Sequence, residues 1–324
     1  LIRLGLRAPI SPIPLKCSFI AEGAAMASTH EDGKLEAGGP AARSRRVLRM
    51  RQDVLSAIDD MVADEVPVAL VYNGISHAVM MATPADLEEF ALGFSLSEGI
   101  IARPAECYGI DVVHGHEGIE VRVDIASASA MRLKERRRSM AGRTGCGLCG
   151  VDSLKRIAGM RSALPVLDPA RGFHAGGVRR ALEALGARQE LTRLTGAAHA
   201  AAWCGMDGSL ALVREDVGRH NALDKVIGAM ARARAHPGDG FLLVTSRVSF
   251  EMAQKAIQAG VPALVGMSAP TAAAIELAEL AGMTLLAFAR GRDFACYTHP
   301  QHLSLGLPAA YQFTEPIPRD SCRV

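Results

Sequence analysis

Two cysteines, Cys146 and Cys149, stand in the segment Arg143-Thr-Gly-Cys-Gly-Leu-Cys-Gly150. The thiolate is the reactive form of cysteine, and its pKa falls from about 8.5 where cations or free amides lie near. Gly145, Gly147 and Gly150 leave backbone N–H groups free and remove steric shielding, while Arg143 and the run Arg136-Arg137-Arg138 favour the anion. Such a dithiol suits sulfur exchange, in which one thiolate attacks a sulfur held by a partner. On spacing alone a zinc half-site and a structural thiol pair stand beside that reading. Zinc needs two more ligands. His114 and His116 read instead as solvated residues at a hairpin tip. A deaminase-type zinc site would place Pro before the first cysteine of the pair, where this chain has Gly145. No metal site is expected. The odd total of seven cysteines does not suit a secreted disulfide framework and fits a reducing cytoplasm. Cys107, Cys204, Cys296 and Cys322 lie outside any thiol-activating motif.

A second constellation is Arg214-Glu-Asp-Val-Gly-Arg-His-Asn-Ala-Leu-Asp-Lys225. A strand ending near Arg214 should turn at Gly218 into a helix with Leu223, Val226 and Ile227 inward. Arg219, His220 and Asn221 then fall at the helix N-terminus, where free amides attract anions. The alternative is a capped amphipathic helix with solvated charges. A third constellation lies at the expected carboxyl ends of three strands: Thr245–Ser249, Ser268–Thr271 and Phe288–Asp293. Ligands of parallel sheets bind outside those ends. Arg247, Arg290 and Arg292, with helix N-termini near Ser249 and Thr271, would make a site for a phosphorylated or nucleotide-bearing ligand; a solvated arginine rim is the alternative. A Walker sequence is absent, and so is a Gly-x-Gly-x-x-Gly after a strand, which argues against an ordinary NTPase or dinucleotide dehydrogenase.

The elements that must position these residues read as follows. Val66–Tyr72 and Ile75–Met81 are strands joined by a two-residue turn at Asn73-Gly74. Thr83 should cap a helix with Pro84 in its first position, an apolar stripe of Leu87, Phe90, Ala91 and Phe94, and a stop at Gly99. Ile119–Ile125 alternates as a half-exposed strand. Helices are expected from Val151 and over about Val178–Leu194. Strands Phe241–Val244, Ala263–Met267 and Thr284–Phe288 alternate with helices Ser249–Ala259 and Thr271–Ala281, the pattern of a parallel sheet with right-handed crossovers. The fold class is therefore α/β: a small α+β domain over 46–140, a mobile CxxC loop over 141–150, an α/β domain over 151–310 and a tail over 311–324. Residues 1–45 should lack order, and Met26 is a candidate start. The net charge of +2 argues against nucleic-acid or polybasic membrane binding. No apolar run approaches the ~20 residues of a membrane span.

Together these segments resemble the FdhD family of formate dehydrogenase accessory sulfurtransferases. The resemblance is carried by Asn73-Gly74, Thr83-Pro84, Glu88–Ile101, Thr144–Gly150 (TGCGLCG), Arg214–Gly228 (REDVGRHNALDKVIG), Ser246–Ala256 (SRVSFEMAQKA), Val265–Pro270, Leu285–Asp293 and Tyr297–Pro300. It implies a cytoplasmic, homodimeric sulfur carrier that accepts sulfur from a cysteine desulfurase. It also implies delivery to the bis(guanine dinucleotide) molybdenum cofactor before insertion into formate dehydrogenase. It places the persulfide on Cys146 and the cofactor-contacting segment on Phe288, Ala289, Arg290, Gly291, Arg292 and Asp293; Cys149 is expected to help release or relay the sulfur. It further implies a three-layer, cytidine-deaminase-like C-terminal domain without the zinc chemistry. Arg292 stands where many relatives have a second glycine.

Overall fold

A computed structural model describes residues 41–138 and 164–306. The CxxC segment, the helix expected from Val151 and residues 1–40 and 307–324 lie outside the described residues. The chain enters through β1 (Ala42–Arg51) and β2 (Val54–Ala63), an antiparallel ribbon in unbroken register from Ala42 opposite Ala63 to Arg51 opposite Val54. Order thus begins inside the stretch expected to lack it. The sequence hides this ribbon because both of its faces are largely exposed, so no apolar alternation marks it.

β3 (Val66–Tyr72) and β4 (Ile75–Ala82) form the expected hairpin, with Asn73 and Gly74 both at positive φ as its two-residue turn requires. With β5 (Cys107–His114) and β6 (Ile119–Ile125) they make a four-stranded sheet of order β4-β3-β6-β5, in which β3 and β6 run parallel. α1 (Leu87–Ser97) and α2 (Ser127–Arg138) supply Phe90, Ala91 and Leu133 to its core beside Leu70, Val121 and Val123. Helix α1 starts after Asp86 rather than at Thr83. Thr83 is drawn off by Asp216 and Val217: its N–H donates to the Asp216 carboxylate at 3.0 Å, and its hydroxyl accepts from the Val217 N–H.

The expected long helix is two, α3 (Ala175–Leu185) and α4 (Glu190–Thr195), separated by a 3-10 turn at Gly186–Arg188. There follow β7 (His199–Gly205), β8 (Leu210–Asp216), α5 (Arg219–Arg232), β9 (Gly240–Val244), α6 (Phe250–Gln258), β10 (Ala263–Gly266), α7 (Ala272–Ala281), β11 (Thr284–Arg290) and β12 (Asp293–Thr298). Their sheet has the order β12-β11-β10-β9-β7-β8. Only β9, β10 and β11 pair in parallel; β12, β7 and β8 are antiparallel, so the sheet is mixed rather than mostly parallel. The two flanking hairpins account for the difference. Alternate residues of β9 serve two layers: Leu242 and Val244 pack with α5, α6 and α7, and Phe241 and Leu243 with α3.

The α1 and α5 helices join the two sheets at a glycine crossing. A Cβ on Gly93 would lie 1.7 Å from the Asp224 carbonyl oxygen, and one on Gly228 would lie 1.9 Å from that of Glu89. Only hydrogen side chains allow backbones to meet so closely.

Candidate functional site

The loops leaving the parallel strands are fastened side by side through their backbones. Met267 donates to the Val244 carbonyl at 2.9 Å, Val248 to Ala269 at 3.1 Å, Thr271 to Val248 at 2.9 Å and Phe288 to Ser268 at 3.2 Å. One edge therefore carries Thr245–Ser249, Ser268–Thr271 and Phe288–Asp293 in order. Antiparallel β7 begins at the same edge, where the Ala200 N–H donates to Thr245 Oγ1 at 3.0 Å, and β8 ends there at Asp216. Gly218 then turns into α5, and His220 Nε2 lies 3.2 Å from Glu251 Oε2 in the first turn of α6. Arg219, His220, Arg247 and Ser249 thus share one edge with the Phe288–Asp293 segment.

That segment is not the open loop its composition suggests. β11 continues to Arg290, Gly291 turns the chain at φ +55°, and β12 returns from Asp293, paired with Arg290. Phe288 sits at φ 53° with its ring half exposed, while Ala289 is buried. A bulky residue in the left-handed region is strained. The Phe288–Ser268 hydrogen bond holds it there. Arg290, Gly291, Arg292 and Asp293 are exposed. Arg290 Nε reaches the Met267 carbonyl at 3.4 Å, and the Arg292 carbonyl accepts from Arg179 Nε at 3.3 Å.

The polar signature of β8 and α5 divides between two tasks. Asp216 and Lys225 form a fully buried ion pair at 2.7 Å. Asp216 also accepts from the Gly218 N–H and Asn221 Nδ2, Asn221 Nδ2 reaches the Met81 carbonyl, and Lys225 Nζ donates to the Thr83 carbonyl. Deeper along α5, Asp224 lies 3.0 Å from Lys255 Nζ, which also meets Glu98 at 2.7 Å and Ser97 at 3.0 Å. Burial pushes the Asp224 carboxyl up, to about 6, against the pull of Lys255. Against burial, Asp224 and Glu98 hold the Lys255 ammonium charged. These residues lock the two sheets together, so Asn221 is structural rather than part of a ligand edge. Arg219 and His220 remain for the edge.

There the arginines outnumber the acids: Arg219, Arg247, Arg290 and Arg292 share the edge with Glu251 and Asp293. Among the described residues the buried Arg219 Nε and Ser249 Oγ find no hydrogen-bond partner, and each sits where a helix begins. Burial, then Arg219 and Lys255, pushes His220 down to about 4, and burial with Arg219 lowers His199. Two neutral imidazoles, an unmatched guanidinium nitrogen and two sets of helix amides suit an anion. Sequence reasoning gives no role to His199, Glu98, Glu251 or Lys255 and reads Thr83 as a helix cap, because the partners that give these residues their roles lie far along the chain.

Cys107, Cys204 and Cys296 are free, and burial raises the thiol pKa of each, so none of them is an activated thiolate. Cys17, Cys146, Cys149 and Cys322 lie outside the described residues. Among the described residues no group of three or more His, Cys, Asp or Glu is placed to hold a metal. No described helix is long and apolar enough to cross a membrane.

Residues 63–304 match the model of the FdhD/NarQ family. The chain is 54% identical over 257 residues to a sulfur carrier protein FdhD of Variovorax paradoxus, covering 79% of this chain and 91% of the relative. It is 53% identical over 268 residues to that of Cupriavidus necator, covering 83% and 92%. A crystal structure described as that of a formate dehydrogenase accessory protein from Desulfotalea psychrophila shares the fold, with a TM-score of 0.64 at 23% identity, over 82% of this chain and all of the other. A family match over most of the chain, with relatives above half identity along nearly their whole length, means that this chain belongs to the FdhD/NarQ family.

Proposed function

We infer that this chain is a sulfur carrier that takes sulfur from a cysteine desulfurase as a persulfide on Cys146. It passes that sulfur to the bis(guanine dinucleotide) molybdenum cofactor, its cargo, before the cofactor enters formate dehydrogenase. The observation that carries the reading is a set of relatives named for carrying sulfur that match along about four-fifths of the chain. The positive sheet edge supports it, because a dinucleotide offers phosphates to Arg219, Arg247, Ser249, Arg290 and Arg292 and a guanine to the Phe288 ring. The raised thiols of Cys107, Cys204 and Cys296 support it too, since none of these described cysteines competes with the glycine-flanked pair as a thiolate.

In the loading step the Cys146 thiolate attacks the outer sulfur of the donor persulfide. The donor S–S bond breaks, the donor cysteine leaves as a thiolate, and a new S–S bond forms on Cys146, with no net gain or loss of electrons. Cys149 assists release. The same reading places a homodimer in the cytoplasm. Helices on both faces of the six-stranded sheet support a cytidine-deaminase-like C-terminal domain. The test is Cys146→Ala in a cell lacking its own copy: formate dehydrogenase activation should be abolished. Full activation would instead leave a cofactor chaperone that moves no sulfur.

A further inference from the structure

The tip of the β11–β12 hairpin has little backbone to hold it. Ala287 pairs with Ala295 and Arg290 with Asp293, so Phe288 and Ala289 together oppose Phe294. That bulge parts the tip from the rest of the sheet. The tip is a two-residue turn, Gly291-Arg292, in which Gly291 alone takes positive φ. Such a turn has the II′ form, closed here by the Arg290–Asp293 pair. Arg290, Gly291, Arg292 and Asp293 are all exposed. A short exposed turn beyond a bulge has few contacts to keep it in one place.

Two arginine side chains tether it. One tether runs to the neighbouring loop, where Arg290 Nε reaches the Met267 carbonyl. The other comes from the helix layer: Arg179 Nε donates to the Arg292 carbonyl at 3.3 Å. Arg179 can reach because α3 packs against the base of the hairpin. Val178, its neighbour in sequence, lies in one buried cluster with Phe241, Leu286 and Ala289. The Arg292 carbonyl can accept because the pairing that closes the turn runs between Arg290 and Asp293. Three arginines thus meet at one exposed turn, where an anion would offset their mutual repulsion.

We propose that Arg179 is a positioning residue for the phosphate edge: its hydrogen bond to the Arg292 carbonyl fixes the hairpin tip, so that Arg290 and Arg292 are in place before a phosphate arrives. The inference rests on the proposed function, in which this hairpin binds phosphates of a guanine dinucleotide. A loop ordered before binding costs the ligand less than one ordered by it. The role belongs to the Nε–H donor rather than to the charge. Arg179 acts through Arg292 and does not touch the ligand.

Calorimetry with guanosine diphosphate on the full-length chain separates the donor from the charge. It is run in about 0.3 M salt, which screens charges not in contact with the ligand. Arg179→Ala removes donor and charge together, whereas Arg179→Gln keeps an N–H donor at the same point of the side chain and removes only the charge. Arg179→Ala should weaken binding about three- to tenfold, the worth of one hydrogen bond, and Arg179→Gln should stay within about twofold of the unaltered chain. The loss on Arg179→Ala should shrink in an Arg292→Ala background, because the turn then has less to position. Relaxation of the Gly291 and Arg292 amides, measured without ligand, should show a looser tip in Arg179→Ala and an unchanged one in Arg179→Gln. Equal losses of affinity in Arg179→Ala and Arg179→Gln would overturn the proposal in favour of a direct charge contact. Unchanged affinity in Arg179→Ala, even with lowered stability in urea, would overturn it too and leave Arg179 as a surface contact. Failure of the phosphate reading would show separately, as no guanosine diphosphate binding by the unaltered chain, and would take this proposal with it.

Discussion

His220 couples the candidate site to pH. An unfolded histidine takes up its proton near pH 6.5, whereas burial, with Arg219 and Lys255 behind it, pushes His220 down to about 4. The fold therefore favours the neutral ring. That contribution is complete above pH 6.5, is lost as pH falls toward 4, and changes no further below, where both states are protonated. His199 acts in the same direction. With the His220 side chain 26% exposed, the loss is on the order of 2 kcal/mol. Urea unfolding at pH 7 and pH 4.5 should show a smaller acid loss for His220→Gln than for the unaltered chain; equal losses would remove His220 from the account. Single residues were also the hardest part of the site to read in advance. Arg219, His220, Arg247 and Ser249 announced themselves because charged or hydroxyl side chains cluster at strand-to-helix junctions. Lys255 did not, since a lysine inside Ser246–Ala256 reads as solvated until Asp224 and Glu98 are seen beside it. Asn221 does fall at a helix N-terminus, as its place in the sequence suggests, but the buried Asp216 carboxylate turns its side chain inward.

At the scale of elements, the α1–α5 crossing and the β11–β12 hairpin each carry an expectation. Gly228→Ala would drive a methyl group into the Glu89 carbonyl and force the helices apart. Overpacking of this kind costs roughly 1–3 kcal/mol, or more where backbone must move. Urea unfolding should show the loss, together with weaker ligand binding because α5 presents Arg219 and His220. On the hairpin, Arg290→Ala and Arg292→Ala should each remove a charge-assisted contact to a phosphate, roughly 1.5–3 kcal/mol or about tenfold in guanosine diphosphate affinity. Calorimetry showing equal affinity after both changes would move the ligand off this edge. The run from β9 to β11 was legible because its apolar strands, helical stripes and the glycine stops at Gly260 and Gly282 all agree. Elsewhere local signals lost to distant partners. Thr83-Pro84 has the form of a helix start, but Asp216, more than a hundred residues on, claims Thr83. β12 escaped notice because its tight turn at Gly291-Arg292 lies inside a segment that reads as a loop.

At the scale of the whole molecule, the proposed function joins a thiol carrier to a sheet edge proposed to bind phosphates. The two functions should separate. Arg290→Ala with Arg292→Ala should load sulfur normally yet fail to activate formate dehydrogenase, while Cys146→Ala should bind guanosine diphosphate normally yet carry no sulfur. Loading assayed by mass and binding assayed by calorimetry on the same two proteins check this double dissociation. The sulfur on Cys146 remains the centre of the account. The most direct measurement is the intact mass of the full-length chain after incubation with a cysteine desulfurase and cysteine, followed by peptide mapping. The account predicts a gain of one sulfur atom, reversed by a reducing thiol, mapped to Cys146 and lost in Cys146→Ala. No gain, or a gain that persists in Cys146→Ala, would contradict it.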